Sequence, residues 1–145
     1  MLGRLAADLM RLHHEFDPSR FIAPTWRTAA RYADFLEAQR LRDDAIVLVA
    51  VEGERVQGYA YGSIEGNDFM ALRGPAGVLH DLMVDPDDRG LGIGRALVEA
   101  IRDQFVCRGV PRLGLSTAAR NEPAKRLFAG LGFRATMIEM TTDLA

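Results

Sequence analysis

Residues 78–97 read VLHDLMVDPDDRGLGIGRAL, and this segment passes from an apolar strand through a turn into an amphipathic helix. Pro86 stops the strand, and three glycines at alternate positions precede the helical stripe. Because glycine has no side chain and tolerates positive φ, several backbone N–H groups of this turn can point to one spot. The unpaired N–H groups and the positive dipole end of the new helix attract an anion there. The segment therefore predicts an anion site, with Arg89 and Arg95 adding charge nearby.

The spacing of the glycines discriminates between kinds of anion site. A Walker-type loop requires Gly, four residues, then Gly-Lys-Ser or Gly-Lys-Thr, and the chain contains no such run. A dinucleotide fingerprint requires a third glycine three residues after the second; counted from Gly90 and Gly92, that position holds Arg95. Both nucleotide motifs are therefore disfavoured, while a glycine turn without any ligand stays open as the structural alternative.

Hydrophobic periodicity predicts nine elements in the order ααβββαβαβ. The expected helices and strands are 2–14, 25–41, 45–51, 56–65, 78–85, 93–105, 112–117, 122–131 and 133–142. Thr25 is expected to cap the second helix. This order indicates an α/β (α+β) fold in which helices flank a mixed, mostly antiparallel sheet, and a single domain over residues 1–145.

The composition narrows the function classes. Of 145 residues, 48% are hydrophobic and 26% charged, which is the profile of one compact soluble domain. A formal net charge of -2 offers no basic face for nucleic acid, and no apolar run approaches the roughly 18 residues of a membrane span. Cys107 is the one cysteine, and the adjacent His13 and His14 do not face each other on a helix, so we expect no metal. We interpret the location as cytoplasmic.

The segment Arg89 to Gly94 resembles the cofactor motif of the GCN5-related N-acetyltransferases (GNAT), which is Arg or Gln, two residues, Gly, one residue, then Gly or Ala. A second hallmark of that family, an Asn that starts a helix and leads to Gly-Phe, is matched by Asn121, Ala124, Leu127, Phe128, Gly132 and Phe133. The resemblance covers residue 45 to the C-terminus, and the two helices before it also suit the family. It implies the GNAT fold and an acetyltransferase that moves an acetyl group from acetyl-coenzyme A to a primary amine by direct attack in a ternary complex.

By that resemblance, the residues that hold acetyl-coenzyme A are Leu82, Met83, Val84, Arg89, Gly90, Leu91, Gly92, Ile93, Gly94, Arg95, Ala96, Asn121, Lys125 and Phe128. The pantetheine arm is expected to enter beside the third strand, and the N–H of Val84 is expected to polarise the thioester carbonyl. Two of these residues have a structural alternative: Asn121 is a favoured helix N-cap, and Lys125 suits a solvated helix face.

An aliphatic amine has a pKa near 10.4 and is almost wholly protonated at neutral pH, so a base must remove a proton before attack. Family members that acetylate small amines often carry Glu or His four residues before the strand-ending Val, and here that position is His80. Strand alternation predicts His80 on the same face as Leu82 and Val84, with Asp81 on the other face. His80 is the expected base; Asp81 is the second candidate, or orients a cationic substrate.

The chain departs from the family at two places. Many members carry Tyr where this chain has Phe128, so water, Tyr59 or Tyr61 would have to protonate the leaving thiolate, or the thiol leaves unaided. Family members usually begin with a short strand, whereas this chain begins at a helix. That strand is missing or lies upstream, and the sheet edge it would cover suits pairing with a second copy of the chain in a homodimer.

Three functions stay open. The chain is an N-acetyltransferase for a small-molecule amine or for a protein or peptide amine, a catalytically silent acyl-coenzyme A binding module, or a mononucleotide-binding protein. Ser116 stands where some protein-acetylating members have Glu, which favours a small amine. The acidic residues expected at the mouth of the site, which suggest a polyamine, an aminoglycoside or a peptide amine, are Glu15, Asp81 and Asp85. The aromatic candidates for the pocket wall are Phe16, Phe21 and Trp26.

Overall fold

The computed structural model describes all 145 residues and contains four α-helices and four strands. In chain order they are α1 (Leu2–Phe16), α2 (Thr28–Arg40), β1 (Ala45–Glu52), β2 (Arg55–Glu65), β3 (Ala76–Val84), a 3-10 turn (Pro86–Asp88), α3 (Ile93–Cys107), β4 (Leu113–Leu115) and α4 (Glu122–Gly130). None of the helices combines the length and the hydrophobicity that a membrane span requires.

The strands form one mixed sheet in the spatial order β1-β2-β3-β4. The first three strands are antiparallel neighbours, which confirms the predicted hairpin between β1 and β2, and β4 joins β3 in parallel after the α3 crossover. The predicted mixed α/β fold is confirmed.

Each face of the sheet buries its own apolar core, because alternate strand residues point to opposite faces. One core lies under α3 and α4 and contains Ile46, Ala60, Leu79, Leu97, Val98, Ile101, Phe105 and Phe128. The other lies under α1 and α2 and contains Leu5, Ala6, Leu36, Ala45, Tyr59, Tyr61 and Met83. The molecule therefore has three layers, and β3 contributes side chains to both cores.

Helix α3 approaches the sheet closely at Gly77. A Cβ at this position would stand 2.8 Å from the Phe105 ring, so only glycine admits that aromatic side chain. This contact fixes the C-terminal half of α3 against β3.

Two sequence predictions were wrong. The expected last strand over 133–142 does not form: residues 134–145 lie exposed without regular structure, because β-branched and apolar residues become a strand only where a ladder partner is present. Thr25 does not cap α2, which begins at Thr28 with Arg27 as its N-cap. The hydroxyl oxygen of Thr28 instead accepts the N–H of Thr25 at 2.8 Å, so a turn precedes the helix.

Candidate active site at the end of strand β3

The glycine-rich loop is anchored by two carboxylates just before it. Asp85 accepts the N–H of Asp87 at 3.2 Å, and the buried Asp88 is bound by Arg55 and, at 3.3 Å, by the Gln57 amide. Both carboxylates therefore fix the 3-10 turn that carries the chain from β3 to α3.

Two glycines of the loop adopt left-handed backbone conformations that other residues avoid. Gly90 has φ +80° and Gly92, the N-cap of α3, has φ +84°. A Cβ at Gly94 would stand 3.4 Å from the Leu127 side chain and 3.7 Å from that of Val84, so α3, α4 and β3 converge there.

The amide groups of this loop are free. The N–H groups of residues 90 to 95 donate to no backbone or side-chain oxygen, and the first bond of the helix runs from Ala96 N–H to Gly92 C=O at 3.0 Å. Six consecutive unpaired donors stand at the positive end of a 15-residue helix, on exposed or half-exposed residues, which is the arrangement that the predicted anion site requires.

The residues around these amides lie at the protein surface. Arg89 and Arg95 are exposed; the Arg89 Nε–H reaches the Val84 carbonyl at 3.4 Å, and Arg95 lies 3.5 Å from Glu99 in a surface pair. Leu91 and Ala96 are exposed and Ile93 is half-buried. Arg89 thus flanks the loop and Arg95 belongs to it, and both are exposed.

The adjacent edge of β3 is unpaired over its last residues. The β3–β4 ladder ends at the Leu79–Leu115 pair, whereas β3 continues to Val84. Asp85 N–H donates to Gln57 on β2 at 2.7 Å, so by alternation the N–H groups of Leu82 and Val84 point to the opposite, unpaired edge. Met83, which the sequence grouped with them, points its N–H to β2 and buries its side chain under α1 and α2.

The three predicted cofactor residues on α4 have local partners. Asn121 is the N-cap and accepts Ala124 N–H at 3.2 Å, and Lys125 bonds Glu122 at 2.6 Å and the Ala119 carbonyl at 3.0 Å. Phe128 is buried in the core under α3 and packs edge-on against Phe133. The structural alternatives stated for Asn121 and Lys125 are thus observed, and Phe128 is a core residue.

His80 does not share a face with Leu82 and Val84, so the alternation argument was wrong. Tyr61 pairs with Asp81 and Gly62 with Leu79, which leaves His80 as the extra residue of a β-bulge. The bulge turns both His80 and Asp81 to the α1–α2 side, because one additional residue shifts the alternation. Gly62, which lies at this register shift on β2, is the one signal in the sequence, since an isolated glycine within a strand often marks a bulge.

The imidazole of His80 is oriented by three residues of β2. Its ring stacks on Tyr61 with centroids 5.0 Å apart, and its Nε2 lies 2.8 Å from Ser63 Oγ and 3.3 Å from Glu65 Oε1. A carboxylate only accepts hydrogen bonds, so the geometry favours a proton on the Nε2 beside it, and in the neutral ring of that tautomer Nδ1 has the lone pair. No protein group bonds Nδ1, and one-third of the side chain is exposed (33%).

Asp81 is a buried carboxylate held by two tyrosines. The Tyr32 and Tyr59 hydroxyls both donate to its Oδ2, at 2.6 and 3.0 Å. Burial raises the pKa of Asp81 above its ordinary value, although the two hydroxyl bonds oppose the shift. Burial, with the negative charge of Asp81 added, also raises the pKa of both tyrosines, so they stay protonated donors.

His80 and Asp81 line a cavity of about 210 Å³ between β3 and helices α1 and α2. Its other lining residues are mostly apolar: Ala6, Leu9, Met10, His13, Phe21, Ile22 and Tyr32. The structure thus brings Phe21 to the cavity, but not Phe16, Trp26 or Glu15. His13, Tyr32, Ser63 and Glu65 are the site residues that sequence reasoning missed, because the contacts that assemble them join distant segments.

Three further candidates have other roles. Asp85 forms an ion pair with Arg4, which lowers the pKa of that carboxyl. The hydroxyls of Tyr59 and Tyr61 are engaged with Asp81 and Gln39, so neither proton is free for a leaving thiolate. No group of three or more His, Cys, Asp or Glu side chains is arranged to hold a metal ion.

A family model described as the acetyltransferase (GNAT) family matches residues 7–133. Among curated proteins, a mycothiol acetyltransferase of Nocardioides sp. is 34% identical over 84 residues, or 56% of this chain and 28% of the relative. The [Ribosomal protein bS18]-alanine N-acetyltransferase of Escherichia coli K12 is 42% identical over 69 residues, or 45% of this chain and 47% of the relative. The matched segments therefore span less than half the length of these curated relatives.

A solved structure, the tetramutant of the BH1408 protein from Bacillus halodurans, superimposes with a TM-score of 0.81. The two chains are 24% identical, and the match covers 99% of this chain and 92% of the other. At this identity the likeness concerns the fold.

Proposed function

The chain belongs to the acetyltransferase (GNAT) family, and from that premise we propose that it transfers an acetyl group from acetyl-coenzyme A to a primary amine of a small molecule. The observation that carries the proposal is the row of six unpaired amide N–H groups over residues 90 to 95. A diphosphate fits such a row, because its charge and its several acceptor oxygens match converging donors at a helix N-terminus. Acetyl-coenzyme A, when bound, supplies a reactive thioester.

The unpaired edge of β3 is where we expect the acyl group of the cofactor to lie. The N–H groups of Leu82 and Val84 point to this edge, a few residues before the diphosphate loop. A fixed N–H of Val84 aimed at the acyl oxygen would stabilise negative charge that develops there during attack.

His80 is the group we propose as base. Its Nε2 is held by Ser63 and Glu65, its Nδ1 has no protein partner, and the residue lines the cavity. In the reaction, the ammonium loses one proton to His80, the nitrogen bonds to the acetyl carbon, and the carbon–sulfur bond breaks. The second proton of the nitrogen leaves through water, which also protonates the thiolate, since the side chain of Phe128 has no proton to give.

Two alternatives receive support from particular observations. The Phe128 side chain is buried and apolar, which is compatible with a catalytically silent acyl-coenzyme A binding module. The relative from Escherichia coli is named for an alanine of a ribosomal protein, which keeps a protein amine as the second candidate acceptor. We favour a small molecule because the cavity beside His80, of about 210 Å³ and lined mostly by apolar side chains, has the volume of a small organic body.

The experiment combines ligand-induced thermal stabilisation with thiol release. We expect acetyl-coenzyme A to raise the melting temperature more than adenosine 3′,5′-diphosphate, and free thiol to appear only when a primary amine is added. Equal stabilisation by the nucleotide would support a mononucleotide site instead. Stabilisation by acetyl-coenzyme A without release of thiol in the presence of small amines or peptides would support the catalytically silent binding module instead.

A further inference from the structure

The cavity beside His80 has the dimensions and lining of a site for a small apolar body. Most of its wall is aliphatic or aromatic, and Ile22 stands exposed (74%) among its lining residues. An apolar cavity of about 150 Å³ holds benzene. The observed volume of about 210 Å³ therefore accommodates a ring of that size with a short side arm.

One oxygen of Asp81 is available to this cavity. Asp81 is only 7% exposed, both tyrosine hydroxyls donate to Oδ2, and no protein donor reaches Oδ1. No fully buried side-chain oxygen or nitrogen of the protein lacks a partner, so Oδ1 is at the cavity surface rather than sealed inside. A buried carboxylate with one unpartnered oxygen aimed into an apolar cavity selects a cationic donor.

No second carboxylate lines the cavity. Asp85 is paired with Arg4, and Asp8 is paired with Arg4 and Arg11. Glu65 lies on the other side of His80 and is bonded by Arg73 at 2.6 Å. A substrate with several ammonium groups would bring charges that find no partner in the cavity, and an unpaired charge is costly to desolvate.

We propose that the acceptor is a monoamine, with its single ammonium group on Asp81 Oδ1 and an apolar body about the size of a benzene ring between α1, α2 and β3. This inference rests on the proposed function for its second substrate, and it replaces the polyamine and aminoglycoside that the acidic residues of the sequence suggested. His80 then stands beside the ammonium group as the base, while Asp81 binds and orients it.

The test compares acceptors that differ in one property. 2-Phenylethylamine supplies one ammonium and an apolar ring, 2-phenylethanol has the same body without the charge, and spermidine has several charges without the ring. We expect 2-phenylethylamine to bind in calorimetry with coenzyme A present, 2-phenylethanol to bind at least 10-fold more weakly, and spermidine to give at least 10-fold lower kcat/KM. Equal binding of the alcohol, or faster turnover of spermidine, would overturn the inference while leaving acetyl transfer intact.

The matched variants are Asp81→Asn and Asp44→Asn. In the first variant an amide oxygen can still accept both tyrosine hydroxyls while the charge is removed; Asp44 is paired with Arg42 and does not line the cavity. We expect Asp81→Asn to weaken 2-phenylethylamine binding at least 10-fold and Asp44→Asn to change nothing. Unchanged binding in Asp81→Asn would overturn the ammonium site. If this variant does not fold, the amine and alcohol comparison on the native chain still decides.

Binding and turnover separate the two proposals. Binding of 2-phenylethylamine that depends on Asp81, without thiol release from any amine, would reject acetyl transfer while the ammonium site stands. Thiol release from peptide amines in preference to 2-phenylethylamine would reject the acceptor class and support a protein substrate.

Discussion

The two halves of the site are built from different parts of the chain. The loop over residues 90 to 95 presents backbone N–H groups, and its conformation depends on the glycines at 90 and 92, which have no side chain. The cavity on the α1–α2 side depends on side chains, namely those of His80 and Asp81, which a single bulge turns to the same face. A backbone site is specified by a short local motif, whereas a side-chain site is assembled by tertiary contacts.

We therefore expect the two halves to recognise different ligands, the loop the cofactor and the cavity the acceptor. Every coenzyme A thioester carries the same diphosphate, so a backbone cradle suits a ligand part that does not vary. On our proposal, the apolar wall and the single free carboxylate oxygen would instead discriminate among acceptors, because exchanging one side chain there changes shape or charge. Substitutions in the loop should therefore affect all acyl donors alike, and substitutions in the cavity should affect acceptors selectively.

The largest effect is expected for Gly92→Val in the loop. Valine is strained at φ +84°, and its side chain would stand where an anion meets the amides. We expect the Kd for acetyl-coenzyme A to rise by roughly 10²-fold or more, which is about 2.7 kcal/mol or more. Isothermal calorimetry measures this directly.

Gly53→Val is the matched control for that variant. Gly53 has φ +59° in the β1–β2 turn, and a Cβ there also meets no atom within 4 Å. Both variants carry the backbone strain, but only Gly92→Val alters the free amides. Equal loss of affinity in the two would attribute the effect to stability and count against the anion site.

His80→Ala comes next and acts on the other half. Loss of a general base costs about 10²-fold in kcat at neutral pH, whereas the Kd for acetyl-coenzyme A should stay unchanged because His80 faces away from the α3 layer. The difference from the native chain should narrow as pH approaches the pKa of the free amine, about 10.4, because the substrate then needs no base. A constant ratio from pH 6.5 to 9.5 would remove His80 from the mechanism.

The sequence predicted one half of the site better than the other for physical reasons. The hairpin, the α3 stripe and the loop at Gly90 and Gly92 follow from local periodicity and from glycine stereochemistry, and they lie where expected. The bulge at His80 arises in the pairing of β2 with β3, and Gly62 of β2, which stands at the shift, does not by itself indicate which residue of β3 is the extra one. For the same reason the absent strand over 133–142 was not foreseen, since its own residues suit a strand and only the lack of a partner prevents one.

A smaller effect is expected for Glu65→Gln, which tests how β2 orients His80. Removing a charged partner of Nε2 should lower kcat by roughly 2–10-fold, as for loss of one hydrogen bond, with little change in the KM for the amine. The effect should vanish in the His80→Ala background, because the two residues act as one unit. Glu37→Gln, at an exposed Glu paired with Arg40, is the control. Additive losses in the double variant would mean that Glu65 acts independently of His80.

The smallest expected effect is on the free energy of unfolding, which the buried charge of Asp81 lowers. Its pKa is raised by burial, so the folded state binds the proton more tightly than the unfolded chain does. The contribution of Asp81 to stability is therefore most favourable below about pH 3.8, the ordinary value, and declines as pH rises through the folded-state pKa. Hydroxyl bonds from Tyr32 and Tyr59 and the charged forms of His13 and His80 oppose this shift without reversing it.

Asp81→Asn has no such titration, so its free energy of unfolding relative to the native chain should rise between pH 3.5 and pH 7. Chemical denaturation of both proteins at each pH measures the difference, and the other carboxylates cancel because both chains carry them. A difference that falls with pH would mean that the carboxylate stabilises the fold, and Asp81 would then need no ligand to explain its burial. A rising difference means that the molecule keeps a charge in its interior at a cost to stability, as expected of a carboxylate that serves the cavity rather than the core.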